Sequence, residues 1–446
     1  MITDLTRGNV TKQLLAFAFP LFLSNALQAI YNIVDMIIVG QFIGGAGMSA
    51  VSIGGDVLHL ITFVAMGFSS AGQVLIAKAV GAEDLKSVKK TIGTMFTFLF
   101  LASIIISVIC FSLRNQMLLW LNTPEESYKY TMDYTVTCIV GLVFIYGYNI
   151  VSAILRGMGD SKRPFVFIAI AAVLNLILDI VFVVFMGMEV FGAALATVIG
   201  QTVSFIISIV YLYNHKESFC FDFKLKSFAI EKRTLKRILA LGIPMAIQAA
   251  AVSFSKIVLV SWINIYGVIY SALAGIFNKI NTMSAVVSNS FTTAGSAMVG
   301  QNLGAKKDER IPQILKTVGV CGTVIATIFT VVVCVFPNAV FGAFTSDKEV
   351  LAVAGILIGP IVLNLYGSAT RSISFAIING SGNTNLNLAV AIIDGLLSRI
   401  GIAALLGFVI GMDCLGFWYG DSIAGFVPII IGVCFYLSGK WRTTKK

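Results

Sequence analysis

Twelve long apolar stretches run through this sequence, and they constrain its fold more than any other feature. A helix that crosses a bilayer needs about 20 mostly apolar residues. Hydrophobic residues make up 58% of the 446 residues and charged residues only 12%, which is about half the charged share of a soluble domain. We therefore predict an all-α polytopic membrane protein with twelve transmembrane helices. The predicted spans are 14–40, 50–77, 92–112, 132–155, 165–187, 192–213, 238–263, 271–299, 314–336, 351–377, 387–411 and 416–437.

The distribution of basic residues predicts the orientation. A net charge of +10 would suit a nucleic-acid binder, but the Lys and Arg residues lie in short segments between the apolar stretches, as the positive-inside rule describes. One set of loops holds 24 of the 31 Lys and Arg residues, whereas the opposite loops hold only Arg114, Lys129 and Lys348. We predict a plasma-membrane protein with both termini in the cytoplasm and no nucleic-acid partner. The last basic segment contains Lys440, Arg442, Lys445 and Lys446.

An internal repeat divides the chain into two halves. Residues 12–20 read KQLLAFAFP and residues 236–244 read KRILALGIP, while RGMGD at 156–160 matches NGSGN at 379–383. The shift of 223 or 224 residues predicts a six-helix lobe at 1–213, a cytoplasmic interlobe loop at 214–237 and a second six-helix lobe at 238–446. Such parallel repeats are typical of transporters with a substrate cavity between the halves.

Acidic residues inside the N-terminal spans mark a candidate ion site, because an acid in mid-membrane costs on the order of 3 kcal/mol. Asp35, Asp179 and Thr197 come from three different spans and fall roughly 8–12 Å below the outer surface. Two carboxylates at one depth predict a site for H⁺ or Na⁺, although pairing with lysines is the alternative. The same helix faces carry Asn25, Gln28 and Asn32 in the first span and Asn175 in the fifth.

Pro20 lies inside the first span, below Asp35. A proline removes one backbone hydrogen bond and allows a kink. We predict a hinge that bends when Asp35 changes state, with a static kink as the alternative.

The C-terminal spans are basic. They contain Lys256, Lys279, Arg371 and Arg399, with Asp394 as the one clear acid. Asp394 and Arg399 are five residues apart, which is a poor pairing distance on an α-helix. These cations either balance the N-terminal acids or contact an anionic part of a substrate. The candidate substrate-cavity residues are Gln28, Tyr31, Asn32, Tyr146, Lys256 and Arg371.

The whole chain resembles the MATE (multidrug and toxic compound extrusion) transporters of the wider flippase superfamily. The segments that carry the resemblance are PLFLSNALQAIYNIVDMIIVG at 20–40, RGMGDSKRP at 156–164, NLILD at 175–179 and GAALATVIGQ at 192–201. The resemblance implies a monomeric antiporter that exports drugs or other amphipathic organic compounds in exchange for H⁺ or Na⁺, without a cofactor. It places the family's cation site on Asp35, Asn149, Asn175, Asp179 and Thr197, with Ala193 as a backbone ligand and Asp35 and Asp179 as candidate Na⁺ ligands.

This sequence departs from the family pattern in its second half. Many family members carry acids in the seventh and tenth helices, but residues 244–254 and 367–375 contain none here. The departure favours an ion site confined to the first half. The rival interpretations are a flippase for lipid-linked oligosaccharides or cell-wall precursors, a membrane-embedded enzyme, and a channel. An enzyme is disfavoured because the two histidines form no HExxH motif.

Overall fold

The computed structural model describes residues 3–442, and these are almost entirely helical. Every predicted span corresponds to one helix or to consecutive helical segments, which confirms the predicted all-α polytopic class. Within residues 3–442, ten helices are long and apolar enough to cross a membrane, and a pair bent by 51° adds an eleventh candidate span. The twelfth predicted span, 271–299, lies in the helix Val268–Gly304, which has 37 residues. Its Asn, Ser and Thr side chains lower its mean hydropathy. Lys445 and Lys446 of the predicted orientation lie outside the described residues.

The chain forms two compact units. Unit 1 comprises Met1–Asp4 and Phe19–Ile243, and unit 2 comprises Leu5–Ala18 and Pro244–Lys446. Helix α1 therefore begins in unit 2 and continues in unit 1, whereas α9 begins in unit 1 and continues in unit 2. The predicted lobes at 1–213 and 238–446 stay a prediction. The two long helices are α1 (Val10–Ile43) and α9 (Lys232–Asn264).

In unit 1, α2 packs against α3, α5 and α6, and α8 packs against α5, α6 and α7. The predicted span 132–155 consists of two helices, α5 and α6, which meet at the 51° bend. A π-helical segment, Ile180–Phe185, continues α7. The helices are α2 (Gly45–Gly81), α3 (Leu85–Ser112), α4 (Arg114–Trp120), α5 (Glu125–Val140), α6 (Leu142–Gly157), α7 (Lys162–Asp179) and α8 (Glu189–Asn214).

In unit 2, α14 is the central helix and packs against α10, α11, α17 and α18. Two π-helical segments, Ile393–Ser398 and Leu405–Val409, interrupt the span that begins with α15. The helices are α10 (Val268–Gly304), α11 (Ile311–Val335), α12 (Pro337–Gly342), α13 (Lys348–Val353), α14 (Ile358–Ser381), α15 (Thr384–Ile392), α16 (Arg399–Ala404), α17 (Asp413–Ala424) and α18 (Val427–Leu437).

The internal repeat is visible in the backbone. Left-handed residues recur at the shift of 223 or 224 residues that the sequence predicted. Both members of each pair stand at equivalent helix ends, so the two halves share one order of helices and turns. The pairs are Gly44 with Gly267, Glu83 with Lys306, Gly159 with Gly382, Gly187 with Gly411, and Glu189 with Asp413.

The RGMGD motif is a tight turn between α6 and α7. Gly159 has φ +82°, a conformation that glycine adopts at little cost. The Asp160 carboxylate accepts hydrogen bonds from the first backbone N–H groups of α7 at 3.1 and 3.2 Å, as a helix cap does. Gly382 and Asn383 repeat this arrangement before α15. The motif therefore has a structural role in both halves.

The segment between α8 and α9 is fixed to unit 1. The Phe221 ring packs 6.2 Å from the ring of Phe96 on α3. The Asp222 carboxylate pairs with Lys89 at 2.8 Å and accepts a hydrogen bond from Ser227. Lys89 and then Ser227 hold the pKa of Asp222 well below its usual range. This predicted loop is therefore anchored by aromatic packing and one ion pair.

We predict that Asp222→Asn loosens this segment. Trypsin should cleave the purified variant after Lys224 or Lys226 several-fold faster than the wild type, whereas Glu217→Gln in the same segment should not change the rate. Because the pKa of Asp222 is depressed in the folded protein, the ion pair contributes above about pH 4 and is lost only below it. Wild-type protection should therefore be equal at about pH 6 and about pH 8. An unchanged cleavage rate in Asp222→Asn would contradict the anchoring role.

Candidate ion and substrate sites

A pair of buried carboxyl groups lies inside unit 1. Asp35 on α1 is 4% exposed, and Asp179 at the end of α7 is 1% exposed. The two groups are close enough to interact electrostatically. One oxygen of Asp35 and both oxygens of Asp179 have no hydrogen-bond partner within residues 3–442. A buried acceptor without a donor costs free energy, so this pair is suited to take up a proton or a cation.

Polar side chains from two more helices complete the surroundings of the acids. The Asn175 amide donates to the Thr197 hydroxyl at 3.4 Å. Tyr134 on α5 lies close enough to Asp35 to interact with it electrostatically. The structure thus places Asp35, Asn175, Asp179 and Thr197 near one another, with Tyr134 beside them, and their role as ion ligands stays a prediction. A tyrosine is common in apolar spans, so no sequence signal identified it.

Close helix packing positions these groups. A Cβ atom on Gly200 of α8 would lie 3.1 Å from the carbonyl oxygen of Ala171 on α7, so the two helices approach closely beside Asn175. The helix widens into the π-helical segment directly after Asp179, and such π-bulges are frequent at functional sites. The wider turns alter the direction of the side chains that follow the acid.

An apolar cluster borders the acid pair. Its buried members come from α1, α2, α5, the π-helical segment and α8. A border of this kind excludes water, which strengthens electrostatic interactions inside it. The cluster consists of Val39, Ala50, Val51, Tyr134, Cys138, Val183, Val190, Ala193 and Ala194.

The other predicted ion ligands are less directly connected to the pair. Ala193 is fully buried and lies one helical turn before Thr197, on the same face. The Asn149 amide donates to the Ile145 carbonyl of its own helix at 2.8 Å, so this donor already has a partner. The role of both residues stays a prediction.

The predicted cavity residues of unit 1 fall into two groups. Tyr31 is partly exposed and lies close enough to Asp35 to interact with it electrostatically. Gln28 and Asn32 are also accessible on α1.

Tyr146 does not fit the predicted cavity. It is fully buried, and its hydroxyl donates to the Ile61 carbonyl at 2.9 Å. The prediction for Tyr146 is therefore wrong, because its side chain packs in the core of unit 1 and leaves no surface for a substrate.

Unit 2 contains a buried charge network in place of an acid pair. The Arg371 guanidinium donates to Asp394 at 2.5 Å. Arg399 donates to Asp421 and lies 3.6 Å from Asp394. Asp394 and Arg399 were expected to pair poorly at five residues apart, and this expectation is wrong. The π-helical segment Ile393–Ser398 lies between them, and its i to i+5 geometry brings residues five apart onto one face.

Asp421 is an acid that the sequence reasoning missed. It is 3% exposed and lies in the middle of α17. A Cβ atom on the preceding Gly420 would lie 2.3 Å from the Cα atom of Ala403 on α16, so α17 approaches the backbone beside Arg399 closely. The GxxxG spacing of Gly416 and Gly420 was the signal available in the sequence, since small residues allow such approaches in membranes.

The comparisons with known proteins decide the family. The MatE family model matches residues 20–181 and again residues 244–405, so that it recognises each repeat separately. The chain belongs to the MatE family. The resemblance to MATE transporters is confirmed, and the protein is a multi-pass membrane transporter.

Two curated relatives of this MatE transporter come from Bacillus subtilis. The "Probable multidrug resistance protein YoeA" is 27% identical over 97% of this chain and 94% of its own length. The "Probable multidrug resistance protein YpnP" is 26% identical over 99% and 98%. A MATE transporter of the MOP superfamily in an outward-facing conformation shares the fold, with a TM-score of 0.89 at 22% identity, and the match covers 98% of this chain and 97% of that one.

We predict that Asp179→Asn stabilises this MatE transporter in sodium-free alkaline buffer. The change removes one of two neighbouring buried carboxylates, so the melting temperature should rise by a few °C. The matched control is Asp56→Asn, since Asp56 is an exposed acid on α2, and it should leave the melting temperature unchanged. A lower melting temperature for Asp179→Asn would mean that its carboxylate is compensated in the folded protein.

Proposed function

We propose that this MatE transporter exports drugs or other amphipathic organic compounds in exchange for H⁺ or Na⁺. The observation that carries the proposal is the buried pair of Asp35 and Asp179, whose partnerless oxygens lie inside a transporter fold. The names of the Bacillus subtilis relatives support drugs as substrates. We also propose that the protein works as a monomer with both termini in the cytoplasm and needs no resident cofactor.

The chemistry of the pair suits either coupling ion. Carboxylate, amide and hydroxyl oxygens are the ligands that hard cations prefer, and Asp35, Asp179, Asn175 and Thr197 supply them. A proton would instead neutralise one carboxyl group and relieve the repulsion between the two. In both cases an ion drives transport only through a difference in affinity between the outward-open and inward-open states.

Pro20 supports a hinge in α1. The border between the two units falls between Ala18 and Phe19, within two residues of this proline. The part of α1 that carries Asp35 therefore belongs to unit 1, and the part up to Ala18 belongs to unit 2. Ion uptake at Asp35 would bend α1 at this border.

We predict that Asp35→Asn abolishes gradient-driven transport. Proteoliposomes are loaded with a fluorescent dye, and an inward Na⁺ gradient and an inward pH gradient are imposed separately. Wild-type protein should export dye under one gradient and thereby identify the ion. Asp35→Asn should fall to the level of protein-free vesicles, while Asp56→Asn should keep wild-type rates. Full transport by folded Asp35→Asn would refute the proposed coupling site.

We predict that Pro20→Ala slows transport more than Pro244→Ala. Both prolines interrupt the first helix of a repeat, but only Pro20 stands in the helix that carries a coupling acid. Replacement restores a backbone hydrogen bond and stiffens α1. The initial rate of dye export should fall several-fold in Pro20→Ala, with normal melting temperature in both variants. Equal rates in the two variants would place the hinge elsewhere.

A further inference from the structure

The charge network of unit 2 is not balanced. No ion pair or hydrogen bond of the Lys256 side chain occurs within residues 3–442, although it interacts electrostatically with Asp421, Arg399 and Arg371. With all five side chains ionised, the network carries one positive charge in excess. Its members are the cations Lys256, Arg371 and Arg399 and the anions Asp394 and Asp421.

The positive side of the network is the accessible side. The Asp394 side chain is fully buried, and those of Arg399 and Asp421 are 4% exposed. The Arg371 side chain is 20% exposed, and Lys256 is also partly exposed. A ligand that reaches the network therefore meets two cations first, with the acids beneath them.

The packing of α9 fixes Lys256 beside the network. The hydroxyl of Ser255 donates to the carbonyl of Gly395 at 2.5 Å. A Cβ atom on Gly395 would lie 2.6 Å from the Cβ atom of Ala251, so α9 contacts the π-helical segment directly beside Asp394. The position of the lysine is therefore set by close backbone contact.

Several buried donors near the network have no acceptor. These are Nε of Arg399, Nε1 of Trp418, which lies one turn from Asp421 on α17, and Nε2 of Gln248, which lies two turns from Lys256 on α9. One oxygen of Asp394 also has no hydrogen-bond partner within residues 3–442. Three of these four partnerless atoms are therefore donors.

We propose that this network binds the anionic group of an amphipathic substrate, so that the exported compounds include organic acids such as aromatic carboxylates. Lys256 and Arg371 contact the carboxylate, while Asp394 and Asp421 hold the two arginines in position. Charge-assisted hydrogen bonds to a carboxylate are the strong class, and the bound anion neutralises the excess charge. This inference names the substrate class of the proposed export function and rests on it.

A structural role for Lys256 gives a different expectation. If the lysine served only as a counter-ion of Asp421, Lys256→Gln would leave an acid less compensated and would lower the melting temperature. If the lysine is the excess charge of a binding site, Lys256→Gln balances the network and leaves the melting temperature equal or higher. The variant therefore separates the two roles before any ligand is added.

The test uses three probes that share one aromatic body and differ in the head group. They are 2-naphthoxyacetate, its primary amide and a trimethylammonium analogue, each titrated calorimetrically into full-length protein in nanodiscs without any ion gradient. Wild-type protein should bind the carboxylate about tenfold more tightly than either analogue. Lys256→Gln should remove this preference, and Lys256→Arg should keep it. Lys348→Gln is the matched control, since Lys348 is an exposed lysine of unit 2 on α13, and it should change nothing.

Three outcomes would overturn the proposal: tighter binding of the trimethylammonium probe by the wild type, an unchanged preference in Lys256→Gln, or no binding of the carboxylate. A lower melting temperature of Lys256→Gln with an unchanged preference would assign the lysine a structural role. Equilibrium binding is measured without an ion gradient, so a protein that does not bind the carboxylate can be distinguished from one that does not carry out antiport. Carboxylate binding without gradient-driven export would refute the exchange function alone.

Discussion

A charged side chain inside a bilayer has to be compensated within the protein, and this constraint shapes both units. Water is too distant to solvate the charge, and lipid offers no partner. Unit 2 meets the constraint with ion pairs among Arg371, Asp394, Arg399 and Asp421. Unit 1 leaves the oxygens of Asp179 without a donor. An arrangement of that kind is tolerable only if a proton or a cation joins the acids, which is the property that a coupling site requires.

Close backbone approaches make both arrangements possible. Gly200 lets α8 approach α7 beside Asn175, and Gly420 lets α17 approach α16 beside Arg399. Packing between membrane helices depends on such small residues because lipid is as apolar as the helix surfaces. The π-helical segments also help to position the charged groups, because each segment changes the direction of the side chains that follow it. Charged groups far apart in sequence are therefore held by backbone geometry rather than by long flexible side chains.

The sequence predicted the class of fold and the acid pair for physical reasons, and its errors have physical reasons too. A long apolar stretch crosses a bilayer as an α-helix, so the positions of the spans could be predicted. Asp35 and Asp179 stood out because acids there are costly. The pairing of Asp394 with Arg399 was missed because α-helical periodicity was assumed where the helix is π. Tyr146 was misplaced because an aromatic side chain in an apolar span gives no signal of whether it faces a cavity or the core.

The two halves share one order of helices and turns but differ in their buried charged groups, and this difference affects the mechanism. In the second repeat, shifted by 223 or 224 residues, the position equivalent to Asp35 is Val258 or Leu259. The position equivalent to Asp179 is Ile402 or Ala403. The acid pair thus has no counterpart in unit 2. Under the proposed roles, the ion binds in unit 1 and the substrate's anionic group in unit 2, so neither ligand displaces the other by direct competition. Exchange must then run through the equilibrium between conformations, with each ligand favouring a different state.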